Sequence, residues 1–252
     1  MKIVTTHHPE KIHLTGMFAA LSTVTQVIIW IPENKPVFDM IAELQPDIII
    51  CLESDMSQSL NYAAKTHNIQ LVVCQENYPR AAVNLAQLYV GETKECYKSD
   101  ILYISNQIVE EDFVELLQGL VKYKLKICGP VILPIPQYIG LASAYTTTGL
   151  LKSTIIAIDY NEGVLWDAAI NKVFCLSNIK NELFPTFTNI ANLHEQINHF
   201  LKDEKHRQFY IKQAYKLALN NTHFHAASQL CQNFDKTLAQ QLLNKIEEVI
   251  NG

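Results

Sequence analysis

The sequence predicts an α/β protein built from two parallel-sheet domains. Short apolar runs alternate with longer helix-patterned segments from the first residue, and the alternation stops and restarts near Ser99. At 252 residues the chain also reaches the size at which two small cores become the better arrangement than one. With 48% hydrophobic and 18% charged residues it has ample material for burial and lacks the polar signature of disorder.

In the first series, Lys2 to Thr5, Gln26 to Trp30, Asp47 to Leu52 and Gln70 to Cys74 read as buried strands, rich in Ile and Val and too short for buried helices. Between them Glu10 to Leu21, Lys35 to Leu44 and Met56 to His67 carry helical periodicity. Such alternation implies right-handed crossovers and a parallel sheet covered on both faces, a Rossmann-like arrangement. In the second series the strand candidates are Ile101 to Ser105, Lys124 to Cys128, Ser153 to Ile158 and Val173 to Leu176. The helices fall near Val109 to Tyr123, Ser143 to Leu151 and Gly163 to Asn171. The polar segment Glu92 to Ser99 between the two series is the expected linker.

From Asn192 the strand signal disappears, and Leu193, Ile197, Phe200 and Leu201 lead into helical segments Asp203 to Leu219 and His223 to Ile250. The expected division is residues 1–98, residues 99–222, and a helix over 223–252 that packs back on the first domain. Ligands of such sheets bind at the carboxyl ends of the strands, which places the expected site between facing domains.

A formal net charge of -5 and the lack of a dense Lys/Arg tract argue against a nucleic-acid partner. The best apolar run, Val27 to Ile31, stops at Pro32 and is too short to span a bilayer. After Val4 the start turns polar, so no secretory apolar region is expected and the reading is cytoplasmic. Cys51, Cys74, Cys96, Cys128, Cys175 and Cys231 are widely separated without CxxC spacing, and most read as reduced core thiols. A homo-oligomer is one of the expected partner states.

Two carboxylates stand out. Asp159 closes one apolar run and Asp167, eight positions on, lies inside the next helical stretch. The alternative is a strand-end acid followed by an exposed helix acid, since acids also favour helix beginnings for structural reasons. His7 and His8 follow the first strand, where imidazole could take a proton near neutrality, or are surface residues of a loop before Pro9. His194 and His199 are five apart, whereas two ligands on one helix face require four, and a zinc site from that pair is not expected. His223 and His225 read as helix-packing residues. No Gly-x-Ser-x-Gly elbow, Walker loop or dinucleotide glycine fingerprint occurs.

From Lys126 onward, about half the chain, the order of segments resembles a known family. Lys126-Ile127-Cys128-Gly129-Pro130 looks like a strand and glycine preceding a donor-base pocket, and Lys152 to Ile158 like the strand that leads to the acids. Trp166 to Cys175, Asn181-Glu182-Leu183-Phe184, and the ending through Arg207, Ala214 and Thr222-His223-Phe224 follow in the family's order. These segments resemble the sugar-nucleotide-binding half of GT-B glycosyltransferases, particularly the spore-maturation-protein-type group with its "glycosyl transferases group 1" C-terminal module. Leu44 to Ile50 resembles a strand entry common to many α/β proteins.

The resemblance implies a GT-B-like fold and metal-independent transfer of a sugar from a nucleotide-sugar donor to a glycan or other acceptor, with no cofactor beyond that donor. It implies that Asp167 anchors the nucleoside and Asp159 lies near the transferred sugar. Gly129 would border the base, Asn161, Glu162 and Gly163 would start a helix facing the phosphates, and His8 would act as acceptor-side base. The chain departs from the family in carrying aspartates for its two glutamates, and Asn171, a residue able to adopt the left-handed conformation, for a glycine. Acids Glu110, Glu111 and Asp112 stand where many relatives carry Arg or Lys. Two alternatives stay open: a nucleotide-sugar-binding protein of the same fold with weak or lost catalysis, and an oligomeric interaction scaffold.

Overall fold

A computed structural model of the chain describes residues 1–6, 12–30, 36–74, 93–104, 119–129, 136–140, 142–160 and 164–251. The chain divides into two compact units, Met1–Ala82 with Asn221–Gly252, and Val83–Asn220.

The first unit holds a four-stranded parallel sheet of β1 (Lys2–Thr6), β2 (Gln26–Trp30), β3 (Ile48–Leu52) and β4 (Gln70–Cys74), in the order β2-β1-β3-β4. The two-residue period of a strand sends alternate side chains to opposite faces, and both central strands are apolar on both. Ile3, Ile48, Ile50 and Leu52 face one core cluster, whereas Val4, Ile49 and Cys51 face another. The second cluster is completed by residues of α2 (Val37–Leu44) and α3 (Gln58–Thr66). The first takes Met17, Phe18 and Leu21 from α1 (Ile12–Ser22), together with Ala227, Leu230, Leu238 and Leu242 from the far end of the chain. The C-terminal segment therefore crosses back to become part of the first core. Fully burying each of the Val, Leu, Ile, Met and Phe side chains among these stabilises by roughly 1.5–3 kcal/mol.

That segment is not the single helix expected over His223 to Ile250. It consists of α8 (His223–Cys231) and α9 (Lys236–Asn251), separated by a tight turn. The amides of Phe234 and Asp235 both donate to the Cys231 carbonyl at 3.0 and 2.7 Å, and Asp235 Oδ1 accepts from the Leu238 amide at 2.9 Å. Asp235 thus supplies the acceptor that a helix start needs, and Phe234 packs into the first core.

The second unit repeats the sheet. Strands β5 (Ser99–Ile104), β6 (Leu125–Cys128), β7 (Thr154–Asp159) and β8 (Phe174–Ser177) are parallel in the order β6-β5-β7-β8. β5 begins two residues earlier than the apolar pattern because Ser99 is buried with its hydroxyl donating to Thr154 Oγ1 at 3.1 Å. The described helices are α4 (Ala144–Lys152), α5 (Leu165–Ile170), α6 (Ile190–Lys202) and α7 (Glu204–Leu219). Their starts follow local chemistry. Ser143 accepts from the Thr146 amide, Asn189 from Asn192 and Asp203 from His206. Each such cap contributes roughly 1 kcal/mol. The expected helix Val109 to Tyr123 lies largely outside the described residues. Among the described residues, no helix is long and apolar enough to cross a membrane, and the six cysteines are free thiols, five of them buried.

Candidate functional site at the carboxyl edge of the second sheet

Strand order reverses direction between β5 and β7, and such a switch point opens a crevice at the carboxyl ends of the strands, where open α/β sheets bind ligands. Asp159 occupies this position as the last residue of β7, with Ile104 of β5 and Ser177 of β8 as its register partners. Its carboxylate has no exposed surface. Oδ1 accepts from the Val164 amide at 2.7 Å and Oδ2 from the Ser177 hydroxyl at 3.3 Å. Ser177 Oγ in turn accepts from the Ile179 amide at 3.1 Å. The acid therefore ties the end of β7 to the start of α5 and to the end of β8.

Asp167 lies in the first turn of α5 and is half-buried, not the exposed helix acid of the structural alternative. Its carboxyl pKa is pushed up to about 6, first by burial and then by the negative charge of Asp159. The structure thus brings the two acids into electrostatic reach of each other. Burial, with a contribution from Asp159, also drives the Cys175 thiol well above its ordinary range, leaving it protonated and inert.

Past the helix, the left-handed residue is Lys172, at φ 59°, and not Asn171, whose φ is -85°. The Asn171 side chain instead donates to the Asp167 carbonyl at 2.8 Å, closing α5. The Lys172 ammonium sits 4.5 Å from the centre of the Tyr215 ring, a cation–π contact that offsets part of the strain of its backbone.

Gly129 follows the last residue of β6, so it lies on the same edge of the sheet. Its carbonyl accepts from the Tyr138 hydroxyl at 2.8 Å and its amide donates to the Gly140 carbonyl at 3.3 Å. Residues 137–139 run beside β6 through bonds to Ile127, and Gly140 then turns at φ +90°, a conformation that favours glycine. The remaining sequence-predicted residues, His8, Asn161, Glu162 and Gly163, lie outside the described residues.

Elsewhere, Arg207 donates through Nη1 to the Phe200 carbonyl, so it braces the end of α6. His225 Nδ1 lies 2.9 Å from Thr222 Oγ1 at the start of α8, and the His223 ring packs where a Gly16 Cβ would stand, in keeping with packing roles. The described pocket of the second unit, about 690 Å³, lies at the opposite, amino edge of the sheet, bordered by Lys94, Lys98, Asp100, Lys124 and Lys152. It does not include the acids of the carboxyl edge.

No family model matches the chain, and no curated protein matches its sequence. Solved structures do share its fold. A putative UDP-N-acetylglucosamine 2-epimerase from Listeria monocytogenes aligns over 93% of this chain and 98% of its own, with a TM-score of 0.56 at 13% identity. The DNA-modifying enzyme β-glucosyltransferase, studied with and without uridine diphosphoglucose, aligns over 95% of this chain and 100% of its own, with a TM-score of 0.52 at 13% identity. An α-glucosyltransferase in complex with UDP-glucose and abasic DNA aligns over 98% of each chain, with a TM-score of 0.51 at 8% identity. The two parallel four-stranded sheets with their helices are thus a GT-B-like α/β fold, shared with glycosyltransferases and UDP-sugar epimerases.

Proposed function

We propose that the protein binds a nucleotide sugar at the carboxyl edge of its second sheet and transfers the sugar to a glycan or similar acceptor. The observation that supports this reading is the pair Asp159 and Asp167, one at the switch point and the other in the first turn of the following helix, in a chain whose fold is that of UDP-sugar-using proteins. The finer placement, in the spore-maturation-protein-type group, is supported by the order of the segments from Lys126 to Phe224.

In this reading Asp167, ionised at neutral pH, accepts hydrogen bonds from the ribose hydroxyls. Asp159, enclosed and bonded through both oxygens, is a positioning residue: it holds the start of α5 and lends its negative charge to the edge where positive charge develops on the sugar during transfer. Gly129 borders the base because it leaves its stretch of backbone open to close approach. His8, Asn161, Glu162 and Gly163 complete the proposal as acceptor-side base and phosphate-facing turn.

A thermal-shift panel of uridine, guanosine and other nucleoside diphosphates tests the reading, because a ligand that binds the folded state raises the melting temperature by mass action. The expected result is a concentration-dependent rise with one base preferred, accompanied by slow release of sugar from the matching donor. No shift with any nucleotide at high concentration would overturn it. A shift without sugar release would leave the binding site standing and replace transfer by binding alone.

A further inference from the structure

The five-residue spacing of His194 and His199 does not suit two ligands on one helix face, but His199 meets two other residues at the junction of α6 and α7. The potential ligand atoms of His199, Asp203 and His206 all lie within 4.8 Å of one another. His199 Nε2 and His206 Nδ1 are 3.4 Å apart, and Asp203 Oδ2 is 4.0 Å from His206 Nδ1. Zinc–imidazole bonds of about 2.0–2.1 Å in a tetrahedron put neighbouring ligand atoms roughly 3.3–3.4 Å apart. The two imidazole nitrogens already stand at that separation, while the carboxylate oxygen, 4.0 Å from His206 Nδ1 and within 4.8 Å of both nitrogens, has to move inward by a side-chain adjustment to complete the set.

The arrangement is held in place before any ion arrives. Asp203 is the single residue between the helices, and its other oxygen, Oδ1, accepts from the His206 amide at 3.0 Å. Arg207 fastens the turn through the Phe200 carbonyl. Beneath it the rings of Phe200, His206 and Tyr210 pack together, with Phe200 and Tyr210 resting on the fully buried Phe174 at 4.5 and 6.0 Å between ring centres. Phe174 is the first residue of β8, so this cluster backs onto the amino end of the strand whose carboxyl end carries Ser177. Both histidines are exposed, which leaves the outer side of the cluster open to water or a further ligand.

We propose that His199, Asp203 and His206 form a surface site for a divalent transition ion of the zinc class, which fastens α6 to α7. Two imidazoles and one carboxylate suit zinc and its neighbours and disfavour magnesium and calcium, which prefer all-oxygen sites. A water completes the tetrahedron.

The test uses the full, tag-free chain, stripped with a chelator and titrated with zinc and separately with magnesium by calorimetry. Thermal melts and histidine ring NMR signals are followed in parallel. The expected result is saturable binding of one zinc per chain, a raised melting temperature, and perturbation of the His199 and His206 ring signals, with no response to magnesium. His199→Gln and His206→Gln should each weaken zinc binding roughly tenfold or more and abolish the zinc-induced rise measured against each variant's own metal-free melt, and Asp203→Asn, which keeps a capping oxygen, should weaken it less. Cys96→Ser controls for the exposed thiol and should bind as the parent does. Zinc binding retained in the double histidine variant, binding lost with Cys96→Ser, or no binding by the parent chain at millimolar zinc would each overturn the proposal.

Discussion

The two sheets share one strand order, yet they end differently at the same place. In the first, the switch point pairs Thr6 of β1 with Cys51 of β3, and Cys51 is followed across the sheet by Val73. In the second, the corresponding pair is Ile104 of β5 with Asp159 of β7, followed by Ser177. At this register position one sheet carries a thiol that burial holds neutral, its pKa raised to about 11, and the other carries a buried carboxylate. Burying a carboxylate costs several kcal/mol unless its oxygens are fully engaged. The first sheet demonstrates that the fold closes without one. The acid in the second sheet is therefore a feature of that edge and its chemistry rather than a requirement of the topology.

The comparison breaks most visibly if the acid is removed. Asp159→Ala leaves the Val164 amide and the Ser177 hydroxyl without their acceptor, and is expected to destabilise by roughly 3 kcal/mol or more, whereas Cys51→Ala at the equivalent position costs on the order of 1–2 kcal/mol. Urea unfolding of the two variants measures the difference, and equal losses would remove the distinction between the edges.

A smaller effect, of opposite sign, sharpens the electrostatic side. Asp167 in the folded chain holds its proton up to about pH 6, above its ordinary value of 3.8, so between those values the folded state binds more protons than the unfolded one. Its penalty is full above pH 6, shrinks as the pH falls through that value, and is gone below the unfolded pKa. Asp167→Asn should accordingly stabilise the chain at pH 7, by roughly 1–2 kcal/mol after allowance for partial exposure, and by progressively less toward pH 4. Paired thermal melts across that range are the check; a gain independent of pH would remove Asp167 from the coupled pair.

The smallest expected effect belongs to the first unit, where α1 meets the start of α8. A Cβ at Gly16 would stand 2.0 Å from the His223 ring, while alanine improves helix propensity by about 1 kcal/mol. Gly16→Ala should therefore be net destabilising by about 1 kcal/mol, with the loss reversed when His223→Ala is added. A double-mutant cycle in thermal melts reads this coupling, and additive effects would contradict the contact.

Much of this architecture is legible in the sequence because local chemistry and global fold agree. Gln26–Trp30 and Gln70–Cys74 are short apolar runs that each open on a glutamine, and they form strands over those same limits. The reading slips where a polar group does an apolar group's work, as at Ser99, or where one capping acid interrupts a helical period, as at Asp235. At the site, the spacing of Asp159 and Asp167 is visible in the chain, but the equivalence of Asp159 and Cys51 is not, since strand order emerges only when the sheets form. The His199 and His206 pair was invisible for a related reason. Seven residues along a straight helix separate two side chains by about 10 Å, and only the break at Asp203 folds them to 3.4 Å.

The central claim, that the charged edge of the second sheet receives a nucleotide, is tested most directly by calorimetric titration of uridine diphosphate into the parent chain and into Asp167→Asn. The account predicts saturable binding by the parent and at least a tenfold loss in the variant, whose ligand-free melt at pH 7 is higher. Equal affinity in the two proteins would contradict it.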